Sequence, residues 1–260
     1  MSGPDYIVAR DPAEAVAARR ALGSAARYVG GGTALQLAWP AGRADHALID
    51  ITALDLGPAA SVVPGDHLRL AATATLEAVR TDAKVRTEAP ILASALAGIG
   101  GLGMRHLATV GGNLAWGAGD LVPLFLVLDA RVVSAVSGDA ITVADWLARG
   151  DGDLIIAIEI PLPMPRLVMW EKIGRREAFS PSLITVAAAR GPDSVRMAVG
   201  GGPVPPARLA QAPSERDGFE ALASTLAAAI RAPDDAIASA EYRARAAGRV
   251  LASFAAEAQP

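Results

Sequence analysis

Two short stretches place consecutive glycines where a helix is about to begin. "VGGGTAL" covers residues 29–35 and "TVGGNLA" covers 109–115; each follows an apolar segment and carries a small polar residue, Thr33 or Asn113, after its glycines. Successive backbone N–H groups converge on an anion when no side chain stands between them, and a helix start adds the positive end of its dipole. One such loop is a weak sign. Two of them, in adjacent units, make the number expected for gripping a pyrophosphate from two sides. Asp120, a few residues beyond the second loop, admits two readings. It is an acceptor for a diol such as a ribose, or an N-cap for the apolar helix that follows.

Two further glycine runs read as turns. "GIGGLG" at 98–103 satisfies G-x-G-x-x-G through Gly98, Gly100 and Gly103, but it follows a helix where the dinucleotide fingerprint needs a strand, so it reads as a helix stop and loop. "VGGGP" at 199–203 leads into Pro205 and Pro206, which points to a turn after a strand. His46, His67 and His106 are too scattered to suggest a metal site, and no residue is marked as catalytic.

The elements that must carry these loops are legible from punctuation. Asp11, Pro12, Glu14 and Gly23 bracket a helix of about 11 residues over "DPAEAVAARRAL". "ARYV" then reads as a strand, "TALQLAW" as a helix ended by Pro40, and "HALIDI" as a strand, so residues 1–57 form a small unit with a βαβ core. Residues 58–163 open with the strand pattern "HLRLAATATL", continue through the helical stretches "LEAVRTDAKVR" and "APILASALAGI", and reach "DLVPLFLVLDARVV" and the strand "DLIIAIEIPLP". "PLPMPR" is the second boundary, because its prolines exclude a continuous helix or central strand. Residues 166–260 run strand-like through "LVMWEKI", "LITVAAAR" and "SVRMAVGG" and finish in two Ala-rich helical stretches.

Composition removes several classes of function. The chain has 260 residues, 52% of them hydrophobic, enough for a sizeable core in two or three small domains. A formal charge of −3 and an aromatic content of 4% give neither the basic excess nor the stacking platforms of a nucleic-acid binder. With no cysteine there is no disulfide, no thiolate nucleophile and no iron–sulfur ligand, so any redox metal must sit in a partner. "MSGPDYIVARDPAEAV" lacks the pattern of a signal peptide, and "LVPLFLVL" falls far short of the ~20 residues of a membrane span. The reading is a soluble, cytoplasmic protein.

Taken in order, "YVGGGTAL", "RHLATVGGNLA", "GDLVPLFLVLDARVV", "LIIAIEIPLP", "WEKIGRR" and "ASAEYRARAAGRVL" resemble the FAD-binding medium subunits of the molybdenum hydroxylases. That family includes carbon monoxide dehydrogenase, xanthine dehydrogenase and bacterial aldehyde, nicotine and isoquinoline oxidoreductases. The resemblance covers nearly the whole chain and implies an α+β fold: a two-part FAD-binding domain of the vanillyl-alcohol oxidase type, 1–57 and 58–163, followed by a domain at 166–260 like the C-terminal domain of carbon monoxide dehydrogenase flavoprotein. It implies that Val29, Gly30, Gly31, Gly32, Thr33, Ala34 and Leu35, with Thr109, Gly111, Gly112 and Asn113, grip the FAD pyrophosphate. It further implies that Asp120 meets the cofactor's polar part, Ile155 touches the isoalloxazine, Lys172 approaches the ring edge, and Gly100 lies on a stretch that nears the flavin from the other side. The implied partners are a small [2Fe–2S] subunit and a large molybdopterin subunit, arranged as a dimer of heterotrimers, with NAD, O2 or a quinone as final acceptor. Against the family pattern, "NLAWGAGD" is shortened and carries Trp116, and "GIGGLGMRH" lacks the usual Ser-Pro-Gln run.

Two other readings remain open at this level. Strand, "GGG", helix, "ALID" and Asp50 about 20 residues beyond the glycines look like half of a Rossmann NAD domain, although Leu35 replaces its third glycine. The chain also reads as a flavin-free scaffold whose loops only seat partner subunits.

Overall fold

A computed structural model describes residues 6–23, 26–38, 47–150, 152–176, 180–191, 194–210 and 218–257. The chain enters through strand β1 (Tyr6–Val8) and helix α1 (Pro12–Leu22), which starts where Asp11 accepts the Glu14 N–H at 2.8 Å and stops at Gly23 with φ +78°. β2 (Arg27–Val29), α2 (Thr33–Ala38) and β3 (Leu48–Asp50) follow, and Pro40, the expected end of α2, lies outside the described residues. The strands pair parallel in the order β1-β3-β2. With β3 central, this sheet has three strands among the described residues and does not run on there into a doubly wound sheet. Asp50 also differs from a free ribose acceptor, because its carboxylate takes the Tyr6 hydroxyl, the Thr52 N–H and the Thr52 hydroxyl.

The next stretch builds a five-stranded antiparallel sheet with helices packed on it. Its elements are β4 (Ala60–Val63), β5 (His67–Ala71), α3 (Leu76–Thr81), α4 (Ala83–Glu88), α5 (Pro90–Ala97), α6 (Leu102–Arg105), α7 (Val110–Ala115), α8 (Val122–Val127), β6 (Arg131–Ser134), β7 (Ala140–Thr142), α9 (Val143–Arg149) and β8 (Ile155–Pro161). The strand order is β4-β5-β8-β6-β7. "LEAVRTDAKVR", expected as one helix, breaks at Asp82. That residue is extended (ψ 133°), so α3 ends there, and its carboxylate accepts the Lys84 and Val85 N–H groups that open α4.

The last stretch holds β9 (Val168–Gly174), β10 (Ser182–Arg190), β11 (Val195–Gly200), β12 (Ala207–Arg208), α10 (Phe219–Ala229) and α11 (Ala240–Glu257), with an antiparallel sheet in the order β12-β11-β10-β9. β10 is apolar without alternation because both of its faces are covered. Ile184, Val186 and Ala188 pack with Leu222, Leu226, Leu251 and Phe254 of α10 and α11, while Ala187 and Ala189 join the core that contains α8. The first sheet has its own small core around Ala9, Ala15, Ala26 and Ile49, which Leu154 and Ile156 reach from the second.

Candidate cofactor site

The first glycine turn rests on the segment that leads into the second. A Cβ on Gly31 would stand 1.7 Å from the Leu107 carbonyl oxygen, and one on Gly30 would stand 3.0 Å from Thr109 Oγ1, so only glycine lets the two segments meet. Gly32, at φ +67°, turns the chain out of β2 into α2. Val29 ends β2, and Thr33, Ala34 and Leu35 form the first turn of α2. The N–H groups of Gly31, Gly32, Thr33 and Ala34 donate to no protein acceptor among the described residues.

The second stretch is built differently. Thr109 is the N-cap of α7, and Gly111, Gly112 and Asn113 lie in the helix itself. The Val110 N–H goes to Ala74 O (3.0 Å), Gly111 to Ala72 O (2.9 Å), Gly112 to Thr109 Oγ1 (3.1 Å) and Asn113 to Thr109 O (2.9 Å). Gly111 is glycine because Ala72 is against it: an added Cβ would lie 2.7 Å from the Ala72 Cβ. The carboxamide oxygen of Asn113 reaches forward to accept the Leu121 N–H at 3.1 Å, which fixes the start of α8. Ala72 N–H in turn donates to Ile156 O, so Ile155, buried at the start of β8, stands one strand away from this helix.

Asp120 does not take the capping role that its sequence position suggests. The N-cap position of α8 is Leu121, without a side-chain cap; Asn113 Oδ1 accepts the Leu121 N–H and Gly119 O accepts the Val122 N–H. The Asp120 carboxylate turns instead toward the last sheet. Lys172 Nζ lies 3.0 Å from Oδ2, and the Thr185 hydroxyl donates to Oδ1 at 2.9 Å. The Asp120 carbonyl accepts Trp170 Nε1–H at 2.8 Å, and Gly202 N–H donates to Ala118 O at 3.2 Å. Lys172, which its composition alone would leave as a surface cation, is a mostly buried partner; Trp170 and Lys172 sit two residues apart on one face of β9. Trp170 also covers Gly98, where a Cβ would come within 3.1 Å of its ring. Thus Asp120, Lys172 and the loop after α5 are gathered around one indole.

Gly100, at φ +57°, leaves room for the Met104 methyl, which would be 1.7 Å from a Cβ there. Its carbonyl accepts Arg105 Nη1–H at 2.9 Å, and Arg105 Nε donates to the buried Glu77 at 2.7 Å. Hydrogen bonds from Arg80 and Arg105 hold the Glu77 carboxyl down at about 2. Glu77, Arg105, Thr185 and Trp170 were not identified from sequence. Glu77 and Arg80 are three apart on a helix and form a readable pair, but Arg105 is 28 positions from Glu77 and only folding brings them together.

Residues 2–163 match the family described as the FAD binding domain in molybdopterin dehydrogenase. Several solved structures share the fold over almost the whole chain. Carbon monoxide dehydrogenase from Hydrogenophaga pseudoflava is 20% identical, with 97% of this chain and 96% of that one covered and a TM-score of 0.80. Reconstituted CO dehydrogenase from Oligotropha carboxidovorans is 21% identical, with the same coverage and a TM-score of 0.81. Quinoline 2-oxidoreductase from Pseudomonas putida 86 is 21% identical, covers 99% of both chains and has a TM-score of 0.74. The expected α+β architecture is therefore the one found.

Proposed function

Because the chain belongs to the family of FAD-binding domains of molybdopterin dehydrogenases, an oxidoreductase family whose cofactor is FAD, we propose that it is the electron-transfer subunit of such a complex. It receives electrons from [2Fe–2S] clusters on a small partner and passes them to an external acceptor, NAD, O2 or a quinone. Substrate oxidation takes place on a large molybdopterin partner, and the three chains assemble as a dimer of heterotrimers. Residues 1–57 and 58–163 form the two parts of the flavin domain, and 166–260 form the domain that closes on it. Among the described residues no helix is long and apolar enough to cross a membrane. The proposed location of the complex is the cytoplasm.

The observation that carries this reading is the contact of Gly31 with Leu107, because it sets the two glycine stretches side by side. The residues fit a pyrophosphate: side chains are absent where backbone must approach, and the N–H groups of Gly31, Gly32, Thr33 and Ala34 have no competing protein acceptor among the described residues. Val29 and Leu35 frame that turn. Thr109, Gly111, Gly112 and Asn113 support it from below, since the backbone N–H groups of Gly111, Gly112 and Asn113 are already engaged and Thr109 accepts two of them. Asp120 and Lys172 present a neutralised pair, Gly100 lies in the loop whose Gly98 packs against Trp170, and Ile155 offers an aliphatic wall. Bound FAD supplies the ability to accept electrons singly and release them in pairs, while these residues bind, orient and shield it.

The test is the visible absorption spectrum of the protein purified with its partners, followed by addition of substrate. Flavin bands that bleach with substrate in the complex and not in the isolated chain support the reading. A complex that oxidises substrate without flavin in this subunit makes it the scaffold instead.

A further inference from the structure

A charge network joins Glu77, Arg80 and Arg105, side chains outside the proposed binding residues, with Arg105 two positions before the Leu107 carbonyl on which the first glycine turn rests. Glu77, 6% exposed, sits in the first turn of α3 between two guanidinium groups: Arg80 Nε donates to it at 3.0 Å and Arg105 Nε at 2.7 Å. One carboxylate between two arginines leaves a net positive charge at this spot. α3 is fastened beside the second glycine stretch, because Leu76 N–H donates to Ala108 O at 2.8 Å, Val110 N–H donates to Ala74 O at 3.0 Å, and Thr75 bridges to Thr109. Arg105 closes the other side. It is the last residue of α6, and its Nη1 donates to Gly100 O at 2.9 Å with Ala97 O and Ile99 O at 3.4 Å. A cation among the last carbonyls of α5 is where the helix dipole favours one. Two residues beyond Arg105, the Leu107 carbonyl is the surface on which Gly31 rests.

We infer that Glu77 and Arg105 are positioning residues for the anion-binding turn at 30–34. By fixing both ends of α6, they set the height of the Leu107–Thr109 platform and so the direction of the free N–H groups above it. The guanidinium is required because one planar fork addresses Glu77 through Nε and Gly100 O through Nη1; an ammonium has its three donors on one nitrogen and does not span the same two acceptors in that geometry. The inference rests on the reading of turn 30–34 as the cofactor's pyrophosphate site.

The experiment is titration of the flavin-stripped full chain with FAD and with riboflavin, which has no phosphate, for wild type, Arg105→Lys and Asp235→Asn. Asp235 pairs with Arg243 in the last region, far from the turn in the chain, and serves as a control for general destabilisation. Arg105→Lys is expected to weaken FAD about tenfold while changing riboflavin affinity less than twofold, and Asp235→Asn is expected to leave the ratio of the two affinities as in wild type. An Arg105→Lys protein with the wild-type ratio overturns the positioning role. So does an equal loss of ratio in Asp235→Asn. A wild-type chain that takes up no FAD instead overturns the pyrophosphate reading itself, and the positioning role with it.

Discussion

At the first glycine turn the N–H groups of Gly31 and Gly32 have no protein acceptor among the described residues, whereas at the second those of Gly111 and Gly112 go to Ala72 O and Thr109 Oγ1. In sequence the two stretches are near copies: apolar residues, paired glycines, a small polar residue, a helix. In the fold, the first uses its missing side chains to leave donors open and to sit on another backbone. The second uses them to tuck a helix start against β5. Glycine thus serves two physical ends, access and close approach, and the surroundings decide which. On the proposed reading, a pyrophosphate would depend for its hydrogen bonds mainly on the first turn and for its support on the second.

Substitution by alanine separates the two roles. Gly31→Ala is expected to have the largest effect, since its Cβ would meet Leu107 O at 1.7 Å and the turn must lift off its platform. FAD retention should be lost, with destabilisation of about 3 kcal/mol or more, read by flavin content after purification and by thermal melting. Full flavin occupancy in this variant would break the comparison outright. Next is Asp120→Asn, at the far end of the second stretch. It leaves the buried Lys172 ammonium without its carboxylate and should lower the stability of the apoprotein by about 3 kcal/mol. A variant that melts like wild type but binds FAD poorly would give that carboxylate to the cofactor instead.

Gly111→Ala and Gly112→Ala sharpen the contrast within the second stretch. The first would press on the Ala72 backbone oxygen at 2.8 Å and should cost about 2 kcal/mol; the second meets only the Thr109 hydroxyl, which can rotate, and should cost about 1 kcal/mol. Neither should weaken FAD as much as Gly31→Ala does, and a stronger loss of FAD in Gly112→Ala would assign its N–H to the cofactor. The mildest expected effect is that of acidification. Glu77 is held at about 2, below the 4.5 of an unperturbed carboxyl, so its pairs with Arg80 and Arg105 stabilise the fold fully above about pH 4.5, and that contribution is lost as pH falls toward 2. The difference in melting temperature between wild type and Glu77→Gln should therefore shrink steadily on acidification, and a difference independent of pH would mean that the carboxylate charge is not what α6 depends on.

Much of this molecule follows from local pattern. The first helix begins at Asp11 and ends at Gly23 because capping and the left-handed turn act over three or four residues. The run "LITVAAAR" becomes β10, and "LVPLFLVL" becomes the buried helix α8, because apolar length and punctuation leave few alternatives. Even the break at Asp82 was present in principle, since that residue type competes with helix for its neighbours' N–H groups. The glycine stretches and their order are sufficient to suggest a gripped pyrophosphate, and it is their resemblance, with the rest of the chain, to a known family that implies a flavin.

What local pattern does not contain is the use to which each group is put. Asp120 was a candidate for cap and for ribose acceptor, and in the fold its carboxylate meets Lys172 and Thr185, residues 52 and 65 positions away. Arg105 became part of a network only when α3 brought Glu77 beside it. By itself the sequence determined the elements, their caps and the two glycine-rich turns, because these depend on neighbours along the chain. Tertiary structure alone decided which turn keeps its donors free, because a hydrogen bond or an ion pair forms only with the group that stands within about 3 Å, and distant segments supply that group.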